Sequence, residues 1–402
     1  MRVEKRGRTM NIHRSPARWR AGSTALLAVG AVVVLVVAVV VRPGAGPSTG
    51  ASPAPSESLG APASSLPSPP TPGVAVGRVF AALLPSGDFA VAKFGGPSLR
   101  LPPGEQILAV SADHVASVLD TGTAGSNLVV REIATGRQIV RVERPEQVGT
   151  AVFAGGSLYF AGSMPDGSDS GVSAIDLANL GVRQVIKPTT WSAEWGGTGS
   201  RNQLRVSPTV ATVGAPACGP AGPGVPKRCF VDVIDVASGT VTRPVADIPL
   251  FLWDISDTTL FAVPEELSFV VAYDRNTGER RWQTEPRSFG IDHYPTSDGR
   301  TYVVEFIVPG DGEGTPGSWV LAAIDTADGT LRELYRVADG PEGPRTLWPE
   351  LSDDRFAVIG RVNARLVEAF GNGPPSVSAD VVDIATGQVS PAALTIPSPA
   401  KP

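Results

Sequence analysis

Histidine, cysteine and methionine are scarce in this chain of 402 residues, at three, two and three copies, and aromatic residues make up only 6%. Three histidines are too few for a histidine-rich metal centre, and one of them, His13, lies in a basic N-terminal stretch. His114 follows Asp113 in a turn-like segment, and His293 sits in Ile291-Asp-His-Tyr-Pro295. A Ser–His–Asp arrangement around His293 has no accompanying Gly-x-Ser-x-Gly motif, so chance placement is the simpler reading. Sustained helical periodicity is also missing: past residue 75 no stretch keeps apolar residues at i, i+3, i+4 and i+7. Short runs of Val, Ile, Thr and Phe alternate instead with turn residues drawn from 45 glycines and 38 prolines. With 42% hydrophobic residues, a region of this length can bury a core, which excludes a structureless chain.

What is abundant is a repeated phrase, in which an apolar strand runs into an acid, a few variable residues, a glycine and a second strand. It reads Glu132-Ile-Ala-Thr-Gly136, Asp176-Leu-Ala-Asn-Leu-Gly181, Asp235-Val-Ala-Ser-Gly239, Asp274-Arg-Asn-Thr-Gly278, Asp325-Thr-Ala-Asp-Gly329 and Asp383-Ile-Ala-Thr-Gly387. A weaker copy without the acid is Leu84-Pro-Ser-Gly87, and successive glycines lie 49, 45, 58, 39, 51 and 58 residues apart. The acid can accept backbone N–H bonds two or three residues on, and the glycine tolerates the positive φ that closes a short hairpin. A second turn phrase, such as Ser256-Asp-Thr-Thr-Leu or Ser297-Asp-Gly-Arg-Thr, precedes each strong copy. Each unit therefore holds two hairpins; in the first complete one the four strands are expected at 107–110, 115–119, 128–133 and 138–142. A period near 50 with four strands per unit predicts an all-β fold, a β-propeller of six to seven four-stranded blades. Residues 102–398 divide into six units. The hairpin of 79–83 with 89–94 is then half of a seventh blade or a clasp on the last one, and we favour seven.

The front of the chain reads differently. Residues 24–41 are uncharged and almost wholly apolar, and eighteen helical residues span about 27 Å, close to a bilayer core. Seven basic residues (Arg2, Lys5, Arg6, Arg8, Arg14, Arg18 and Arg20) precede them, against the single acid Glu4. The expected organisation is a cytoplasmic basic tail (1–22), a single-pass transmembrane signal anchor (23–42), a Pro/Ser/Ala-rich disordered linker (43–75), an extracytoplasmic propeller (76–398) and a short tail (399–402). A cleaved signal peptide would have a shorter apolar run and a small-residue cleavage site, which Arg42-Pro43 does not offer. The localisation implied is the cell membrane, with the N-terminus inside and the propeller outside.

In that oxidising exterior, Cys218 and Cys229 are expected to form a disulfide pinning the loop between them. Eight of the 34 basic residues but only one of the 39 acids lie within residues 1–42, so the exterior part is near −12. Such a charge disfavours nucleic acid as a partner.

One copy of the repeat is more specific. Ala272-Tyr-Asp-Arg-Asn-Thr-Gly-Glu-Arg-Arg-Trp-Gln283 resembles the repeat of quinoprotein (PQQ-repeat) and WD-like propellers, where Asp-x-x-Thr-Gly is followed four residues later by tryptophan. The other copies carry Val140, Val185, Arg243, Glu333 and Pro391 there. The resemblance covers about 76–398 as repeat shape. It implies that Asp176, Asp235, Asp274, Gly278, Asp325 and Asp383 are structural turn residues and that Trp282 docks blade on blade. A quinone cofactor in such a protein would call for a ring of ligands and an adjacent cysteine pair; Cys218 and Cys229 are not adjacent.

In an up-and-down blade the recurring turns lie at one end, and the first–second and third–fourth connections belong to that end. The long segments 162–171, 187–204, 218–229, 308–318, 338–348 and 361–376 fall to the other end, where binding loops are expected on a rigid scaffold. Trp191, Trp195, Trp348, Asp311 and Glu313 form the candidate ligand face, with Trp253 and Trp319 near its edge. Asp311-Gly-Glu313 alone has too few oxygens for a calcium site, and the sequence assigns no catalytic, cofactor or metal residue. The function expected is a membrane-tethered, non-catalytic binding or scaffold module for a protein, peptide or glycan. The alternative is a quinoprotein-like dehydrogenase, or a hydrolase with carboxylates meeting at the central channel.

Overall fold

The structure, a computed structural model, describes residues 79–83, 88–93, 98–120, 125–164, 169–188, 204–218, 229–248, 252–264, 268–310, 317–338, 345–348, 352–361 and 376–395. The expected membrane anchor, basic tail and linker lie outside the described residues. Among the described residues, no helix is long and apolar enough to cross a membrane.

Seven separate antiparallel sheets follow one another along the chain. Sheet I holds β1 (Val79–Leu83), β2 (Phe89–Lys93) and β3 (Ser98–Arg100). Sheet II holds β4 (Glu105–Val110), β5 (His114–Asp120), β6 (Ser126–Glu132) and β7 (Gln138–Arg144). Sheet III holds β8 (Gln147–Ala154), β9 (Ser157–Ser163), β10 (Asp169–Asp176) and β11 (Val182–Ile186). Sheet IV holds β12 (Arg205–Val206), β13 (Thr212–Cys218), β14 (Cys229–Asp235) and β15 (Val241–Ile248). Sheet V holds β16 (Leu252–Ile255), β17 (Thr259–Val263), β18 (Val271–Asp274) and β19 (Arg280–Gln283). Sheet VI holds β20 (Ser288–Pro295), β21 (Thr301–Val308), β22 (Ser318–Asp325) and β23 (Leu331–Ala338). Sheet VII holds β24 (Arg345–Leu347), β25 (Phe356–Arg361), β26 (Ser376–Asp383) and β27 (Val389–Thr395).

Strand order within every sheet is sequential. The first strand of each sheet meets the first strand of the next, from β1 through β4, β8, β12, β16 and β20 to β24. Six four-stranded sheets and one of three, stacked face to face with their first strands adjacent, constitute a propeller-like all-β fold. The leading hairpin does not clasp sheet VII; Ser98–Arg100 joins it to complete a three-stranded sheet of its own. The segment expected to be a loop from 338 to 348 contains β24, the short first strand of sheet VII.

The core lies between the sheets. Phe261 and Trp282 of sheet V pack on Tyr302, Phe306 and Val320 of sheet VI, and Trp319 and Leu321 of sheet VI pack on Leu347 and Ile359 of sheet VII. Middle strands are covered on both faces, which is why β13 and β14 are almost continuously buried. Outer strands such as β23 alternate between buried and exposed positions because one face reaches solvent.

The repeated phrase folds the same way six times. The N–H four residues after each acid donates to the acid's carbonyl at 2.7–2.9 Å, as in Gly239 to Asp235 and Gly387 to Asp383. The residue immediately after the acid donates to the carbonyl of the first hairpin's turn: Ile133 to Asp113, Leu177 to Gly156, Val236 to Ala211, Arg275 to Thr258, Thr326 to Arg300 and Ile384 to Arg355. Both short turns of each of sheets II to VII are therefore fastened together at one end of the blade. Asp274 caps its turn by accepting from the N–H groups of Asn276 and Thr277, and a bond from Arg281 is the main reason its carboxyl is held down to about 2.

One copy departs from the expectation. In the Asp176 turn the left-handed position belongs to Leu180 (φ 61°), not to Gly181, because the phrase carries one extra residue before the glycine. The other five turns place glycine there with φ between 70° and 79°.

Candidate functional site

The first strands would be expected to be apolar, yet several carry charged or polar side chains between the sheets. On β16, alternation sends Trp253 and Asp254 to opposite sides. Trp253 is 1% exposed and lies so close to Gly214 that a Cβ there would come within 2.5 Å of the indole. Asp254 accepts from the N–H of Ile255 at 2.8 Å, and its other oxygen stands 3.4 Å from His293 Nδ1.

On β20 the pairing register with β21 breaks between Phe289 and His293. A bulge of this kind re-aims side chains locally. Gly290 stands within it, and a Cβ at that position would come 2.3 Å from Glu305 Oε1, so only glycine lets the carboxyl in. His293 Nδ1 is 2.7 Å from the hydroxyl of Tyr302. Tyr302 is fully buried, its ring stacked on Phe261 at 4.1 Å, and burial followed by the charge of Asp254 raises its hydroxyl well above the usual range. His293 Nδ1 thus stands between the Tyr302 hydroxyl and Asp254 Oδ2, able to accept from the first or donate to the second, and the state of Nε2 follows from that choice. That Nε2 is buried and has no partner among the described residues.

Two carboxyls join sheet VI to β24. Asp292 accepts from Thr346 Oγ1 at 3.0 Å, and burial raises its pKa. Glu305 accepts from the N–H of Leu347 at 3.0 Å and from Trp319 Nε1 at 3.1 Å. Burial, reinforced by the nearby Asp292, pushes the Glu305 carboxyl up to about 7. Arg205 of β12 acts electrostatically on both Asp292 and Tyr302, and its Nε is buried without a partner among the described residues. Asp254, Asp292, His293, Tyr302, Glu305 and Thr346 thus form a polar cluster spanning sheets V to VII, on which Arg205 of sheet IV acts electrostatically. Chemically it can hold a proton near neutrality, and His293 Nε2 has no partner among the described residues.

Another buried charge pair is closed in on itself. Arg131 reaches both oxygens of Glu105 at 2.5 and 2.8 Å, and Ser117 donates to the same carboxylate at 2.6 Å. With its lone pairs filled, this triad reads as a structural element of sheet II.

Of the expected ligand face, Trp191, Trp195, Asp311 and Glu313 lie outside the described residues. Trp348 is corrected: it follows β24 at the short-turn end, is 3% exposed, and packs against Gly360 inside sheet VII. Trp253 and Trp319 are likewise interior. Trp282 is 8% exposed, and its Nε1 donates to the carbonyl of Thr326 in the next sheet at 2.8 Å, while its ring lies over Gly329. Where tryptophan is missing from the following copy, Arg332 makes the equivalent bond to the carbonyl of Ile384 at 2.6 Å. Cys218 and Cys229 form a disulfide across paired positions of β13 and β14, with Cα atoms 4.0 Å apart. Among the described residues no group of three or more His, Cys, Asp or Glu is placed to hold a metal ion.

Only His293 of the polar cluster stood out in the sequence. The signal for the rest is an ionisable residue inside an otherwise apolar strand, as in Leu252-Trp-Asp-Ile255 and Val303-Val-Glu-Phe306.

The fold and site define a propeller module with a polar cluster among its first strands. No protein-family model matches the sequence, and no curated protein matches it. Among solved structures, the chain is similar to a prolyl endopeptidase at 11% identity and a TM-score of 0.50, over 80% of this chain and 49% of that one. It thus spans about half the length of that protein. Kluyveromyces lactis Hsv2 is similar at 11% identity and a TM-score of 0.47, over 76% and 89% of the two chains. Kuenenia stuttgartiensis hydrazine synthase is similar at 16% identity and a TM-score of 0.45, over 70% and 77%. At such identities the likeness concerns fold alone.

Proposed function

We propose that this protein is a membrane-tethered, extracytoplasmic binding or scaffold propeller that engages a protein, peptide or glycan through its long connections. The observation that carries this reading is the asymmetry between blade ends. At one end, six pairs of short turns are tied to one another by repeated backbone bonds. The second–third and fourth–first connections, including 187–204, 219–228, 309–317 and 362–375, all leave from the other end. Length concentrated at one end of a rigid scaffold is where recognition residues accumulate. The apolar run at 24–41 behind basic residues, and the Pro/Ser/Ala-rich stretch after it, support tethering outside the cytoplasm. A disulfide fits the same compartment.

The test is site-specific photo-crosslinking in intact cells. Probes at 223, 313 and 368, at the long-connection end, should give adducts that probes at 135, 238 and 328, at the short-turn end, do not. Adducts from the short-turn end alone would reject the reading.

A second reading is supported by the cluster of Asp254, Asp292, His293 and Glu305: chemistry at the first strands, as in a hydrolase with paired carboxylates or a dehydrogenase of the quinoprotein type that the Asp274–Trp282 repeat resembles. A Glu305→Gln chain that loses a measured hydrolytic or dehydrogenase activity while remaining folded would favour it.

A further inference from the structure

We propose that residues 396–402, which follow β27, supply a missing first strand to sheet I by pairing with the open edge of β1. The inference is independent of what the long connections bind. Sheet I has three strands where sheets II to VII have four, and the direction of the chain shows which one is missing. In sheets II to VI the fourth strand ends at the long-connection end, where the chain passes into the next first strand. β3 does the same. The Leu101 N–H donates to the carbonyl of Phe89 and the Glu105 N–H to that of Pro102. β4 starts there, with Glu105 paired to Leu119 at the end away from the Ser111–His114 turn. The turn glycines agree. A Cβ on the glycine of a third–fourth hairpin would meet the fourth strand of the preceding sheet, as Gly278 meets Pro244 of β15 and Gly387 meets Leu334 of β23. Gly136 of sheet II meets Leu99 of β3, at 3.1 Å. So β1, β2 and β3 hold the second, third and fourth places. The contact of β1 with β4 is then of the kind that β5 makes with β8 and β13 with β16. The first place, beside β1, is filled by no strand among the described residues.

The chain after β27 is placed to fill it. Thr395 pairs with Ser376 at the long-connection end, where a first strand begins, and a strand leaving from there runs antiparallel to β1. As few as two residues, 145–146, lead from a fourth strand into the next first strand. A link of that length leaves Ser398-Pro-Ala-Lys-Pro402, and β12 and β24 show that two or three residues suffice for a first strand. First strands have a neighbour on one edge only, so proline is tolerated where its missing N–H falls on the free edge. Alternation puts Pro397 and Pro399 on one edge and Ser398 and Ala400, which keep their N–H groups, on the other. Two donors therefore face β1 together. Pairing them also removes an open strand edge, which otherwise invites association with other chains.

Native-state hydrogen exchange of the full-length chain in detergent micelles tests the pairing. Alternate amides of β1 face β2 and the open edge, and those on the open edge should exchange slowly. A chain stopped after Thr395 should lose that protection at least tenfold while β6, β14 and β22 keep theirs. Should that chain fail to fold, Ala400→Pro, which removes a donor facing β1, should give the same loss, and Pro399→Ala, on the free edge, should give none. Ser398→Cys combined in turn with Phe80→Cys, Ala81→Cys and Ala82→Cys should form a disulfide within one chain in at least one pair. Rapid exchange of all β1 open-edge amides in the wild type overturns the proposal. So does protection that survives in the shortened or the Ala400→Pro chain, since another segment or a partner then fills the place. A disulfide only between two chains, or in none of the pairs, also overturns it.

Discussion

Glu305 gives the sharpest prediction. Its carboxyl is 8% exposed, faces Gly290, and accepts two N–H bonds, one of them from β24 of the next sheet. Burial pushes it from 4.5 up to about 7. A carboxyl raised in the folded state binds a proton that the unfolded chain has already released, so its contribution is complete below about pH 4.5 and is lost as pH rises toward 7. A shift of this size corresponds to roughly 3 kcal/mol between pH 4.5 and 8, at 1.36 kcal/mol per unit. Asp292, also raised by burial, acts with the same sign. Glu305→Gln keeps a carbonyl oxygen for Leu347 and Trp319 and removes the charge. It should match the wild type at pH 5 and exceed it by about 2–3 kcal/mol at pH 8. Urea unfolding at pH 5, 6, 7 and 8 reads this directly. A variant that keeps the wild-type slope, or is less stable at pH 8, would refute the assignment of a buried neutral carboxyl to this seam.

Leu180→Gly should stabilise the protein by about 1 kcal/mol, because a branched side chain now occupies the left-handed position at φ 61°; thermal unfolding of the two chains decides it. Gly278→Ala should cost more than about 2 kcal/mol, since a Cβ would come within 1.7 Å of the Pro244 carbonyl at a φ of 75°; the same assay applies. Replacing both cysteines by serine should lower stability by about 3 kcal/mol, the loop-closure value for residues 11 apart, measured against the untreated wild type.

The repeat was legible because its chemistry is local. An acid that caps a turn and a glycine at positive φ identify themselves within five residues, and the four-stranded unit follows from their spacing. The Asp176 copy shows the limit: one inserted residue moved the left-handed position onto Leu180, and only the backbone geometry reveals it. Trp348 shows another. In sequence it borders a long segment, but β24 turns the chain inward just before it and buries the indole on Gly360. The polar cluster was hidden for a different reason. Asp254, Asp292 and Glu305 come from different strands of two successive sheets, with Thr346 from a third, and only the stacking of those sheets brings them into one cluster. Likewise the single tryptophan of the Asp274 repeat did not disclose that Arg332 makes the same inter-sheet bond one copy later.

The most direct measurement is native-state hydrogen exchange at the six amides of Ile133, Leu177, Val236, Arg275, Thr326 and Ile384, which fasten the paired short turns of sheets II to VII. If one end of every blade is a fixed platform, these amides exchange as slowly as those of the central strands β6, β14 and β22. Exchange within seconds at most of the six would contradict it, and with it the division into a fixed end and a recognition end.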